Sequence, residues 1–149
     1  MTSLARGLVP AGQGRMLEAR GSVMAFKAVA AQTSGDFSLM ERTLPPAGRR
    51  PPAHRHGNCS EAFFVLEGTV SFELDGEDLL GGPGDFLLVP RGRAHTFGNG
   101  GEQAARLLVL HAPAMDAYFE ELHRLWSGAQ PAREEEQALM RRFGMEPAG

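Results

Sequence analysis

The chain has 149 residues, 42% of them hydrophobic, which suits a single globular domain with a core of its own. A formal net charge of -3 without any Lys/Arg-rich run argues against a nucleic-acid partner. No run approaches the about 18 apolar residues of a membrane span, the first residues lack a secretory-signal pattern, and the lone cysteine, Cys59, precludes an internal disulfide, so we expect a cytoplasmic protein with no membrane partner.

In chain order, 23–31 is an apolar segment without a clear assignment, and 37–44 reads as a strand. A Pro-rich turn follows at 45–52. The runs 62–66 and Val70–Leu74 form a strand pair, and Asp75-Gly76 is a hairpin turn signal. Val70, Phe72 and Leu74 alternate with Ser71, Glu73 and Asp75, which predicts a half-buried strand. Further strands are predicted at Phe86–Val89 and 106–110. Short apolar runs separated by Gly, Pro, Asn and Asp predict an all-β barrel or sandwich for the body of the chain.

From Pro113 the pattern changes. Met115, Phe119, Leu122, Leu125 and Trp126 recur at helical spacing between charged residues, predicting an amphipathic helix packed on the outside of the barrel. A second helix is predicted at 133–143, with Glu134, Glu135 and Glu136 at its positive end and Arg141 and Arg142 at its negative end. The organisation expected is therefore a β-barrel with N-terminal strands over 1–112 and a helical extension over 113–149.

Two stretches carry chemistry. In Gly48-x5-His54-x-His56-x4-Glu61-x6-Gly68, the histidines stand two apart and share one face of a strand. The turn at Gly57-Asn58 lets the chain double back and bring Glu61 to the same point. In Gly84-x5-Pro90-x-Gly92-x2-His95-x3-Asn99, a tight Pro/Gly turn places His95 at the start of a strand, where it can supply a fourth ligand. Three imidazoles and one carboxylate suit one divalent Fe, Mn, Ni, Cu, Co or Zn ion better than Ca or Mg. Four ligands also leave a position open for water or a substrate oxygen.

These stretches resemble the two motifs of the cupin superfamily, joined by the short spacer 69–83. The strand near Phe37-Ser38-Leu39, the run 63–68 and the Pro113-initiated tail make the wider chain similar to the single-domain quercetin-dioxygenase-like cupins. The resemblance implies a double-stranded β-helix, or jelly-roll barrel. It implies metal binding by His54, His56, Glu61 and His95, with Glu61 also accepting a proton from substrate. It further implies a homodimer with exchanged N-terminal strands, for which 23–31 is the candidate segment.

The implied activity is that of a metal-dependent dioxygenase acting on a small enolic or phenolic, flavonol-like compound. The alternatives are a metal-dependent isomerase, cyclase or decarboxylase of a small carbonyl compound, and a non-catalytic small-molecule-binding module. Phe63, Val65 and Phe97 share the inward parity of Glu61 and His95 and predict an aromatic-lined pocket. Cys59 reads as an inert neighbour, and Arg91 and Arg93 as solvated turn residues; His111, at a strand end, could face the barrel mouth as a proton shuttle but reads first as a surface residue. His123 carries no assigned role.

Overall fold

The computed structural model of the chain describes residues 7–148. Its strands are β1 (Arg15–Ala19), β2 (Ser22–Ala28), β3 (Ser38–Leu44), β4 (His54–His56), β5 (Ser60–Glu67), β6 (Val70–Leu74), β7 (Glu77–Gly81), β8 (Phe86–Val89), β9 (His95–Asn99), β10 (Ala105–Ala112) and β11 (Met145–Pro147). The helices are α1 (Ala30–Thr33), α2 (Asp116–Trp126) and α3 (Arg133–Arg142). The strands form two sheets with antiparallel pairing, ordered β1-β2-β3-β10-β5-β8 and β11-β4-β9-β6-β7. This is the jelly-roll arrangement of an all-β protein with a helical C-terminal tail.

Period-two burial sets the core. Met40 and Leu44 of β3, Phe63 and Val65 of β5, Val70 and Phe72 of β6, and Leu107 and Val109 of β10 all face inward. Phe63 sits edge-on to Phe72 and tilted against Phe97, with ring centroids 5.2 and 4.9 Å apart. Asp75 and Gly76 have φ of 49° and 82° and close the β6–β7 hairpin, whose second strand the sequence pattern does not reveal. Gly68, at φ 77°, allows the chain to pass so close to Ala104 that a Cβ would sit 2.7 Å from its carbonyl oxygen. That close passage explains the glycine at the end of the first motif.

The segment 23–31 resolves into β2 and the short α1. β2 pairs with β1 and β3 of its own chain.

The tail is more integrated than an outer decoration. Tyr118, Phe119 and Leu122 of α2 and Leu139 and Met140 of α3 join the buried core, and β11 adds an edge strand beside β4. Arg15 bridges to Glu120, and His123 donates its ring N–H to the Glu18 carbonyl at 2.9 Å. His123 thus ties α2 to β1. The helices close the barrel mouth because their apolar stripe meets an open end lined by Phe26 and His111, each with its ring against Phe119.

Candidate metal centre

Both sheets contribute to one buried constellation. β4 is only three residues long, and its alternation turns His54 and His56 inward while Arg55 faces out. It is held on both sides: Met145 and Pro147 of β11 pair with His56 and His54, and His54 stands opposite His95 of β9. The Pro90–Arg93 turn locks the end of β4, since Gly92, at φ 85°, donates its N–H to the His56 carbonyl at 2.8 Å. Asn99 closes the following loop by donating to the carbonyls of Leu44 and Gln103. From the facing sheet, β5 turns Glu61 inward.

His54, His56, Glu61 and His95 are all buried, and one donor atom from each lies within 4.8 Å of the others. Donors on opposite sides of a first-row ion stand about 4.2 Å apart, so the set fits such an ion after small side-chain rotations. The ring orientations are set from behind. His54 donates Nδ1–H to the Pro52 carbonyl at 2.8 Å, and His95 donates Nδ1–H to the Arg93 carbonyl at 3.2 Å. These bonds leave Nε2 of each ring as the donor turned inward, the arrangement that orients metal-ligating histidines.

Glu61 Oε1 lies 2.7 Å from His95 Nε2 and 3.1 Å from His56 Nε2. Two lone pairs cannot face each other at that distance. Positive charge must lie between ring and carboxylate, either as ring protons or as a cation, and the donor chemistry accommodates either. Burial alone would raise the Glu61 carboxyl, but His111 and His95, by charge, and His111 and His56, by hydrogen bonds, hold it well below the usual carboxylate range. Burial lowers His54 to about 3, with the charge of His95 adding to the effect. For His95, burial pulls down, and the charge and hydrogen bond of Glu61 outweigh it to raise the pKa.

His111 is buried, which overturns the preferred surface placement and favours the alternative that it faces the barrel mouth. Its Nε2 lies 3.0 Å from Glu61 Oε2. The signal was present: Ala105, Leu107, Val109 and His111 form one inward row of β10, and a strand-end histidine continues that row.

The cavity at the site encloses about 20 Å³ and is lined by His54, His56, Glu61 and His111 together with residues the barrel motifs do not contain. Phe97 lines it as expected. Phe63 and Val65 instead pack deeper, and Tyr118, Phe119, Met140 and Met145 of the tail form the rest of the apolar wall. Arg20 and Arg42 supply its remaining polar surface. Cys59 is buried beside the site, and burial, with the charge of Glu61, raises its thiol to about 11, which keeps it un-ionised and unreactive at neutral pH. Arg93 pairs with Asp75 on the surface at 2.6 Å.

A cupin-domain family model matches residues 40–111, a span that includes both motifs. Quercetin 2,3-dioxygenase of Bacillus subtilis is 28% identical over 132 residues, covering 86% of this chain but only 39% of that protein's length. Among solved structures, the polyketide cyclase RemF from Streptomyces resistomycificus is 26% identical, with a TM-score of 0.61 over 70% of this chain and 78% of the other. KdgF from Halomonas sp. shares the fold at a TM-score of 0.63 and 19% identity, covering 74% of this chain and 96% of the other. Matched in sequence across both motifs and in fold across two sheets, residues 40–111 are similar to a cupin domain, and the wider chain is similar to a quercetin dioxygenase.

Proposed function

We propose that this protein is a metal-dependent enzyme that binds one divalent ion through His54, His56, Glu61 and His95 and oxidises a small enolic or phenolic compound with dioxygen. The observation that carries the reading is the placement of Glu61. One carboxylate oxygen meets two rings of the candidate ligand set, and the other meets His111, which lies outside that set.

A divalent ion held there would supply Lewis acidity toward a substrate oxygen and, if redox-active, a path for electrons between an enolate and dioxygen. The chain's own residues do the remaining work. Glu61, kept ionised, accepts the proton of the enol or phenol at Oε2. Nε2–H of His111 donates to Oε2 across 3.0 Å, which keeps the carboxylate ionised and fixes its orientation toward the substrate. Phe97, Phe119 and Met140 exclude solvent and hold the substrate's apolar part.

A second reading is favoured by the similarity to a polyketide cyclase, because the Glu61–His111 pair also serves enolisation, cyclisation or isomerisation without dioxygen. Oxygen-electrode assays of the metal-loaded protein against flavonols and other enolisable compounds separate the two. Oxygen uptake coupled to substrate loss is the expected result. Substrate loss without oxygen uptake favours the second reading, and binding without turnover leaves a small-molecule-binding module.

We also propose a homodimer. Phe64 of β5 and Phe86 and Leu88 of the edge strand β8 are exposed, and they form a contiguous outer patch because Phe64 pairs with Phe86 and Ala62 with Leu88.

A further inference from the structure

The polar end of the cavity holds two guanidiniums, of which only Arg20 is paired directly with a carboxylate. Arg42 sits at an inward position of β3 between Met40 and Leu44 and is 2% exposed. Its Nε donates to Ser22 Oγ at 3.1 Å, and its guanidinium lies 5.1 Å from the centroid of Phe97. Among the described residues, no carboxylate lies within ion-pair reach of it, although Glu61 and Glu136 are near enough to act through space. A buried guanidinium without a counter-ion is costly and calls for an anion.

Arg20 is the second member. It occupies the β1–β2 turn at φ 53°, a conformation that favours Asn or Gly over a long side chain. The side chain turns inward and pairs with Glu136 of α3, yet its Nη1 is buried with no acceptor. Tyr118 Oη, lining the same cavity beside Arg20, is likewise buried without a well-formed hydrogen bond. Burial raises that phenol to about 12, so it remains a hydrogen-bond donor.

Arg20 and Pro51 also form the wall between this cavity and an outer vestibule of about 440 Å³. The vestibule is lined by Arg49, Arg50 and Arg133 and contains the buried, unpaired Nε1 of Trp126. A basic approach therefore leads to a basic inner end.

We propose that Arg42, with Tyr118 Oη and Arg20 Nη1, is a carboxylate-binding subsite, and that the substrate is a small organic acid admitted from the vestibule. Resting on the reading of the metal site above, the acid is held at this end while its enolic or phenolic oxygen is turned toward His54, His56, Glu61 and His95. The planar guanidinium takes the carboxylate with paired N–H donors, and the charge of the acid offsets that of Arg42. The cavity encloses only about 20 Å³, so admitting such a guest requires side chains of its apolar wall to shift.

The test is calorimetric titration of metal-free and zinc-loaded protein with acetate, propionate and benzoate, each against its neutral amide. Acids binding about tenfold or more tightly than their amides in both metal states is the expected result. Arg42→Gln should abolish that preference, Arg42→Lys retain part of it, and Tyr118→Phe weaken acid binding several-fold in a protein that has lost only a hydroxyl. Equal affinities for acids and amides, a preference that survives Arg42→Gln, or absence of acid binding in either state would overturn the proposal. A preference seen only with zinc would also overturn it, because the acid would then be ligating the ion. Should the protein take up no zinc, the metal reading fails separately, and the metal-free titrations still decide this one.

Discussion

Glu61 and His111 are direct cross-strand partners in the antiparallel β5–β10 pair, and their side chains meet inside the barrel with His111 Nε2 3.0 Å from Glu61 Oε2. The pairing gives the carboxylate a hydrogen-bond donor outside the candidate ligand set. His111→Gln keeps a hydrogen-bond donor of similar reach but removes the imidazole whose charge holds the Glu61 carboxyl down. With a compound turned over in the oxygen-electrode screen, the variant is expected to retain metal and to lose roughly a hundredfold in kcat/KM. The acid limb of its pH profile should also move to higher pH, because Glu61 loses part of what holds its carboxyl down. An unchanged rate and profile would reduce His111 to a packing residue.

The buried Arg20–Glu136 pair links the β1–β2 turn to α3 and so holds the tail over the mouth. Glu136→Gln leaves the Arg20 charge buried without its counter-ion and is expected to cost about 3–5 kcal/mol in urea unfolding. Replacing both residues by apolar side chains of similar volume should recover most of that loss. A single-variant cost below about 1 kcal/mol would show that the pair is already solvated.

His54 gives the metal-free protein a signed pH dependence. Its pKa of about 3 in the fold compares with about 6.5 unfolded, so below the unfolded value only the unfolded chain takes up this proton, and stability is lost as pH falls. His95 acts in the opposite sense: its raised pKa contributes stability that is fully present below about 6.5 and lost as pH rises through the folded value. Its contribution is therefore flat across acid pH. Glu61, with a depressed pKa, adds to the acid loss only below about 4.3. Between about pH 6 and 4.5, urea-unfolding stability should thus fall by up to about 1.4 kcal/mol per pH unit, and His54→Gln should flatten this slope. Parallel slopes in the two proteins would contradict the assignment.

The exposed pair Phe86 and Leu88 lies on edge strand β8, where uncovered apolar residues invite association. Sedimentation should give the mass of a dimer for the wild type and of a monomer for Phe86→Glu/Leu88→Glu. A monomeric wild type would remove the proposed assembly, and a double variant that remains dimeric would move the interface elsewhere.

Much of the fold was legible in the sequence because period-two burial is a strong signal where one face is wet, as in β6, whose bounds match the expected strand. The convergence of His54, His56, Glu61 and His95 could be read from spacing because the turns that set it are local: Gly57-Asn58 and Pro90-Gly92. What escaped depends on distant partners. β11 carries only three residues and is a strand because β4 lies beside it. Arg42 occupies an inward position, but a charged residue breaks the apolar alternation that marks such a row. Arg20 faces inward from a turn, where sequence offers no periodicity at all. The mouth-closing role of Tyr118, Phe119 and Met140 was hidden for a related reason: a helical apolar stripe states that it is buried and leaves open against what.

Metal content per chain, determined by elemental analysis on wild type, His54→Ala and Glu61→Ala, tests the central claim most directly. About one divalent first-row ion per wild-type chain is expected, with most of it lost in each variant while the fold persists by circular dichroism. A wild-type protein that takes up no such ion under any loading condition, or folded variants that retain it in full, would contradict the assignment of these residues as a metal centre.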